Sequence, residues 1–182
     1  MEVVKSQNSK ILKYILIIFA GSLLLTISAK IKIPFYPVPM TMQTFVVLFL
    51  GMSFGYKIGL ATVSLYLLEG LLGMPVFSNS PEKGVGIIYF TGPTMGYLIG
   101  FLFATSLAGY FNFNGNIIIN FFKLLVSVSI IYFMGILWLG SLIGWDKPII
   151  QLGATPFLLA ELLKISILAL LAKKIIKLKK FI

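Results

Sequence analysis

From residue 84 to residue 122 the chain has no charged side chain, although this stretch is longer than a single membrane-spanning helix. A soluble protein cannot cover so long an apolar segment, because its surface must be largely polar. The rest of the chain is similar, since 59% of its 182 residues are hydrophobic and 11% are charged. Soluble domains carry roughly 25% charged residues. The sequence therefore predicts an integral membrane protein.

Six apolar segments approach the roughly 20 residues that a membrane-spanning helix requires. We predict one all-α transmembrane domain over residues 1–182, with six helices at about 12–29, 40–56, 58–73, 92–111, 118–140 and 154–172. Three prolines between residues 34 and 39 prevent a continuous helix after the first span. Turns at 56–57 and 112–116 separate later spans. The first segment is too long for a cleaved signal peptide.

Lysine placement predicts the orientation of the chain in the membrane. Six spans put both termini on one side. With the termini in the cytoplasm, the inside lysines are Lys5, Lys10, Lys13, Lys57, Lys173, Lys174, Lys177, Lys179 and Lys180. The outside lysines are Lys30, Lys32, Lys83 and Lys147, of which the first two are exceptions to the positive-inside pattern. We therefore expect a protein of the cytoplasmic (inner) membrane with both termini cytoplasmic. The net charge of +10 reflects this orientation and does not indicate a nucleic-acid partner.

Missing residue types exclude most catalytic chemistry. The chain contains no histidine and no cysteine, and it has five acidic residues. These counts exclude disulfides, thiolate nucleophiles, histidine acid–base catalysis and nearly all zinc or haem sites. A phosphate-binding loop ending in Lys-Ser/Thr is also missing. The sequence predicts neither an enzyme nor a bound cofactor.

Glu161 and Lys164 are the ionisable pair that stands out within a predicted span. A charge at the centre of a membrane helix costs roughly 3 kcal/mol or more. Three residues apart on one helix, these two share a face and can neutralise each other. They would suit a ligand with both N–H and C=O groups, such as a urea or an amide. Two other interpretations are an ion pair that only packs helices, and a proton relay through Glu161.

Small residues on several spans indicate close helix packing. Glycines recur every four residues at Gly51 and Gly55, and at Gly92, Gly96 and Gly100. Ser22 and Thr26 form a similar face on the first span, which could meet the same chain or another membrane protein. Glu69, close to the outer end of the third span, is expected to have a structural or rim role.

Five segments together resemble the BioY family, the substrate-binding (S) components of energy-coupling-factor (ECF) biotin transporters. The matching stretches are PVPMTMQTF at 37–45, GLLGMPVF at 70–77, GPTMGYLIGF at 92–101, GILWL at 135–139 and GATPFLLAELLK at 153–164. They occur in the family's order over most of the chain. The resemblance implies a six-helix S-component fold with a biotin pocket that faces outward.

The resemblance also implies roles for individual residues. A carboxylate and a lysine on the last helix of the family bind the bicyclic ring of biotin, and they fall on Glu161 and Lys164. Asn79 matches a polar ligand contact in the loop between the third and fourth spans. Tyr97 matches the tyrosine of the family's glycine motif, and Gln43 matches a glutamine of the gate. Trp138 would supply an apolar wall.

The sequence departs from the family pattern at three places. Glu161 stands where the family usually has aspartate, so the carboxylate reaches one bond further. Met95 replaces a glycine of the Pro-Thr-Gly-Gly-Tyr pattern, which is expected to narrow that corner of the pocket. Ser22 and Thr26 replace two alanines of the family's Ala-xxx-Ala face, the expected interface with a transmembrane coupling protein.

Together these features predict a lipid-embedded protein that captures biotin from outside, with loops 30–39 and 76–91 closing over it. The chain has no ATPase, so the resemblance implies a transmembrane coupling protein and cytoplasmic ATPases as partners. Three alternatives stay open at this point. They are an S-component-like carrier for another small vitamin, a proton-coupled carrier, and a membrane enzyme or structural helper that uses Glu161 as an acid.

Overall fold

The computed structural model describes residues 2–181, with side chains from residue 10 onward, so Lys5 lies outside the described side chains. The helices are α1 (Glu2–Lys30), α2 (Gln43–Leu71), α3 (Met95–Tyr110), α4 (Ile117–Ile143), α5 (Ile149–Gly153) and α6 (Leu158–Ile175). Short 3₁₀ segments cover Gly86–Thr91, Thr155–Phe157 and Ile176–Phe181. Two-residue strands β1 (Lys32–Ile33) and β2 (Met40–Thr41) pair antiparallel. The chain is thus mainly helical.

Four helical segments of the described chain are long and apolar enough to cross a membrane. They are Lys10–Lys30, Gln43–Leu71, Ile117–Ile143 and Ile149–Phe181. Helix α3 is also apolar but shorter, at 16 residues. Each of the six predicted spans overlaps one of these five segments, and the second and third spans share α2. The short helix α5 lies in the predicted loop that precedes the sixth span.

Helix α2 reverses direction at Gly55, where φ is 80° and ψ is 173°. Glycine adopts this conformation readily, whereas a Cβ atom would strain it. In a straight helix Gln43 and Tyr66 would lie roughly 34 Å apart, yet the Gln43 amide donates to the Tyr66 hydroxyl at 2.7 Å. The two halves of α2 therefore lie side by side. The reversal lies one residue before the predicted turn at 56–57, because its positive φ favours glycine.

Glycine allows close contact between neighbouring helices within the chain. A Cβ atom on Gly100 would lie 2.7 Å from the Ile131 Cα atom, so α3 and α4 touch backbone to backbone there. Gly51 and Gly96 have similarly close contacts, with α3 and α4 respectively. The packing prediction is confirmed at these three positions. Gly55 forms the reversal of α2, and its backbone also lies close to Gly109 of α3, where an added Cβ atom would be 2.6 Å from the Gly55 carbonyl carbon.

The connections between helices gather at two opposite ends of the bundle. At one end, Lys30 donates to the carbonyl of Phe77, and Tyr97 donates to the carbonyl of Gly153. The ring of Phe35, in the β1–β2 connection, lies 5.8 Å from that of Phe157. At the other end, the turns around residues 55 and 112 lie near the C-terminal 3₁₀ segment. The first end holds the site described next.

Candidate ligand-binding site

A cavity lies beneath the β1–β2 flap, the segment 31–42 that contains both strands. Its walls come from this flap, the loop after α2 and the facing sides of α2, α3, α4 and α6. Most of the lining is apolar or aromatic, and the aromatic residues are Phe77, Tyr89, Tyr97, Phe101, Tyr132 and Phe157. The polar lining residues are Thr41, Gln43, Thr44, Ser78, Thr94, Glu161 and Lys164. Such a mixture suits a small organic ligand with a few polar groups.

Glu161 and Lys164 meet at the inner wall of this cavity. Glu161 lies in the first turn of α6, and its Oε1 atom lies 2.6 Å from the Lys164 Nζ atom. The two residues are only 4% and 8% exposed. Their burial in one ion pair limits the cost of each charge, since each offsets the other. The sequence prediction that they form a buried pair is confirmed.

Thr41 in β2 and Thr44 in α2 complete the surroundings of the pair. Lys164 Nζ donates to the Thr41 carbonyl at 2.6 Å and to Thr44 Oγ1 at 3.0 Å. Thr44 Oγ1 in turn donates to Glu161 Oε1 at 2.6 Å. The three ammonium hydrogens are therefore all engaged within the described residues. Sequence reasoning missed Thr44, although it lies in the 37–45 stretch that carries the family resemblance.

The second carboxylate oxygen of Glu161, Oε2, differs from Oε1 in its hydrogen bonding. Oε2 is buried and accepts no hydrogen bond from any described residue. A buried carboxylate oxygen left without a donor costs free energy, and the cost disappears when a ligand N–H group reaches it. Glu161, which lines the cavity, thus has one acceptor oxygen without a donor beside an already satisfied cation.

Gln43 and Tyr97 line the cavity, but their polar atoms are bound elsewhere. Gln43 Nε2 donates to the Tyr66 hydroxyl, which donates to the Val76 carbonyl at 3.2 Å. The Tyr97 hydroxyl donates to the Gly153 carbonyl at 2.7 Å. Both side chains therefore fix the cavity walls. The hydroxyl of Tyr97 is therefore occupied, and its ring is the part that a ligand can contact. The centroid of this ring lies 6.1 Å from that of Tyr132.

Two predicted site residues do not line this cavity. Asn79 lies in a small adjoining space with Lys83, and its Oδ1 atom accepts from Lys32 at 3.2 Å. Trp138 faces an outer groove between α3 and α4, where its indole N–H donates to the Gly92 carbonyl at 2.9 Å. Met95 lines the same outer groove. The expectations of a Trp138 wall and of a corner narrowed by Met95 are wrong for this cavity.

Of the two residues of the predicted partner face on α1, Ser22 points into the protein and Thr26 is partly exposed. Ser22 is fully buried and donates to the Glu69 carboxylate on α2, and Thr26 donates to the Ser22 carbonyl at 3.1 Å. A side chain with no exposed surface cannot form a docking face. Ser22 instead provides the hydrogen-bond partner for Glu69.

A family model described as the BioY family matches residues 3–181, nearly the whole chain. The chain belongs to the BioY family. Relatives support this membership. A probable biotin transporter BioY of Pyrococcus horikoshii is 33% identical over 152 residues, which cover 84% of this chain and 89% of that protein. The biotin transporter BioY of Thermotoga maritima is 34% identical over 160 residues, covering 86% and 91%.

A solved structure has the same fold as this BioY chain. It is a crystal structure of the S-component for biotin from an ECF-type ABC transporter, with a TM-score of 0.76 and 24% sequence identity. The match covers 93% of each chain. The S-component fold expected from the sequence is thereby confirmed. Membership in a family of transporter components also agrees with the prediction that the chain is not an enzyme.

Proposed function

We propose that this protein captures biotin and takes it up as the substrate-binding component of an ECF-type transporter. The observation that carries the proposal is Glu161 Oε2, a buried oxygen with no donor among the described residues, on a residue that lines an aromatic, aliphatic and polar cavity of a BioY family member. The relatives named above as biotin transporters support the choice of ligand. Among small vitamins, biotin combines a cyclic urea with a fused apolar thioether ring, which matches this lining.

The polar residues of the cavity suit the urea ring. An N–H group of the ring would donate to Glu161 Oε2. Lys164 keeps the carboxylate in place, and its ammonium would exchange the Thr41 carbonyl for the urea oxygen, which requires only a small movement of the flap. The new hydrogen bond to Glu161 and the change of acceptor at Lys164 both keep the charged groups hydrogen-bonded, which a buried site requires.

The apolar part of biotin would lie against the aromatic wall. The rings of Tyr97, Tyr132 and Phe157 follow one another with centroids 6.1 and 6.4 Å apart. Gln43 would act through the wall that it braces. Asn79, in the adjoining space nearer the surface, would meet the carboxylate end of the side chain.

The chain would cross the cytoplasmic membrane six times, with both termini in the cytoplasm. The reversal at Gly55 supports two crossings by α2, and α1, α3, α4 and α6 supply the others. The lysine-rich C-terminal end lies opposite the cavity, so the positive-inside pattern supports an outward-facing cavity. Lipid surrounds the exposed apolar faces of the helices.

Uptake requires energy that this chain is not expected to supply, since its sequence has no nucleotide-binding loop. We propose that a transmembrane coupling protein and cytoplasmic ATPases provide it. Because Ser22 is internal, the docking surface for these partners would lie on exposed apolar residues of α1 or other helices.

Calorimetry on the purified, detergent-solubilised protein tests the ligand. We expect one biotin to bind per chain. Dethiobiotin, which retains the urea ring, should bind more weakly but measurably. Diaminobiotin, which lacks the urea carbonyl, should bind far more weakly than either. A folded sample that binds none of the three would refute the proposed function.

A further inference from the structure

Lys30 lies on the outer side of the membrane, against the bias of lysines toward the cytoplasm, and the structure gives it a specific partner. Its Nζ atom donates to the Phe77 carbonyl at 2.7 Å and to the Ser80 carbonyl at 2.8 Å. These carbonyls belong to one tight segment, residues 77–80, which we call the 77–80 turn. A single ammonium from the end of α1 thus binds both ends of this turn.

Lys32, the second exception to the positive-inside pattern, binds the middle of the same turn. Its Nζ atom donates to the Ser78 carbonyl at 2.5 Å and to Asn79 Oδ1 at 3.2 Å. Two lysines therefore contact four consecutive residues through four charge-assisted hydrogen bonds. Such bonds are roughly twice as strong as neutral ones.

The 77–80 turn is part of the cavity wall. Phe77 and Ser78 line the cavity and are 1% and 5% exposed. The Phe77 ring stacks on Tyr89 with centroids 4.6 Å apart, and the Tyr89 and Ser78 hydroxyls lie 3.3 Å apart. Movement of the turn away from the bundle would carry this part of the wall with it and open the cavity toward the outside.

The lysines also connect the turn to the Glu161–Lys164 pair. Lys32 in β1 pairs with Thr41 in β2, and the Thr41 carbonyl accepts a hydrogen bond from Lys164. The flap therefore contacts the turn at one end and the ion pair at the other. Withdrawal of the 77–80 turn from the end of α1 and from the flap must break all four lysine hydrogen bonds.

We propose that Lys30 and Lys32 are positioning residues that latch the 77–80 turn to the end of α1 and to the flap, and so slow the release of bound ligand. The latch rests on the proposed function for the identity of the ligand. It does not require either lysine to touch the ligand, and neither lines the cavity. It also gives a reason for two lysines on the side of the membrane where lysines are scarce.

The latch is tested by the double substitution Lys30→Met and Lys32→Met, which keeps the side-chain length and removes the charge. Lys147→Met is the matched control, since Lys147 lies in another loop and its ion pair among the described residues is with Asp146, at 3.1 Å. We expect radiolabelled biotin to leave the double variant at least about tenfold faster in a chase experiment. Lys147→Met should release it at the wild-type rate, and Lys32→Arg should retain most of the slow release.

Hydrogen exchange on the ligand-free protein gives a second measurement that does not depend on biotin. The amides of Ser80, Lys83 and Gly84 donate within or next to the turn. We expect them to exchange faster in the double variant, with exchange in α3 and α4 unchanged. If the double variant does not fold, the single Met substitutions are measured in the same way.

Unchanged release together with unchanged exchange would overturn the latch. Unchanged release with faster exchange would also overturn it, because the lysines would then only stabilise the loop. If the wild-type protein binds no biotin, the proposed function fails separately. In that case faster exchange confined to the turn would still show that the lysines hold the turn in place, and unchanged exchange would overturn the latch.

Discussion

At the scale of the residue, the two oxygens of Glu161 have different surroundings. Oε1 accepts from Lys164 and Thr44 at 2.6 Å each, whereas Oε2 has no donor among the described residues. An ion pair that only packed helices would gain from satisfying both oxygens. The asymmetry favours a binding role over that interpretation.

Glu161→Gln should weaken biotin binding by about 1–3 kcal/mol, the scale of a lost hydrogen bond to a charged group. The amide keeps the shape but lacks the charge, and one of its ends would present N–H groups to Lys164 or to the ligand. Calorimetry on the folded variant measures the loss. Glu69→Gln is the control, because Glu69 bonds to Ser22 away from the cavity. Equal affinities for both variants would count against the site.

Thr44→Val should weaken binding by about 1 kcal/mol, since it removes a neutral hydroxyl that bridges Glu161 and Lys164. Valine has nearly the same shape, so the helix packing should be retained. Thr105→Val is a matched control, because the Thr105 hydroxyl is buried with no partner in the described chain. It should leave affinity unchanged. A similar loss in both variants would show that the effect is general and does not arise at the site.

At the scale of the element, α2 illustrates how one backbone position determines the route of the chain. Its sequence between residues 43 and 71 contains no proline, and its composition would allow one long helix. The positive φ at Gly55 turns it into two antiparallel halves. This places Gln43 and Thr44 at the same end as Tyr66, where they meet α6 and the loop after α2.

Gly55→Ala should destabilise the protein by about 1–3 kcal/mol, because a Cβ atom strains this backbone conformation. A steric clash with neighbouring residues is not the cause, since no atom lies within 4 Å of the added Cβ. Loss of stability would appear as a lower Tm, followed by tryptophan fluorescence. Gly115→Ala, in a turn without positive φ, should change the Tm much less. A Tm for Gly55→Ala as high as that control would argue against strain.

At the scale of the whole molecule, the described acids and lysines divide between the two ends of the bundle. Glu82, Asp146 and the Lys30–Lys32 pair lie at the end that holds the flap. Lys57, Lys123 and the C-terminal lysines lie at the other end. This division supports the proposed orientation through the positive-inside rule.

The chain contains no cysteine, so single cysteines can report its orientation directly. Glu82→Cys, in the exposed loop after α2, should react in intact spheroplasts with a maleimide that does not cross membranes. Asn114→Cys, in the exposed turn between α3 and α4, should react only after permeabilisation. The reverse pattern would place the cavity on the cytoplasmic side.

The sequence alone determined that lipid is the solvent, because it has too few charges to cover a soluble surface. It also identified Glu161 and Lys164, since their i, i+3 spacing is a local property of one helix. The turns at 112–116 and near residue 55 were recognisable from their polar residues and glycines. These features depend on composition or on neighbours along the chain.

Only the tertiary structure decided which helix faces meet. Ser22 faces inward and Trp138 faces an outer groove, although both were assigned other surroundings from the sequence. Thr44, more than a hundred residues away in sequence, completes the Glu161–Lys164 pair. In water a buried face is more apolar than an exposed one, whereas in a bilayer both protein-facing and lipid-facing sides are apolar. The pattern that normally distinguishes inside from outside is therefore weak, and contacts between distant segments settle it.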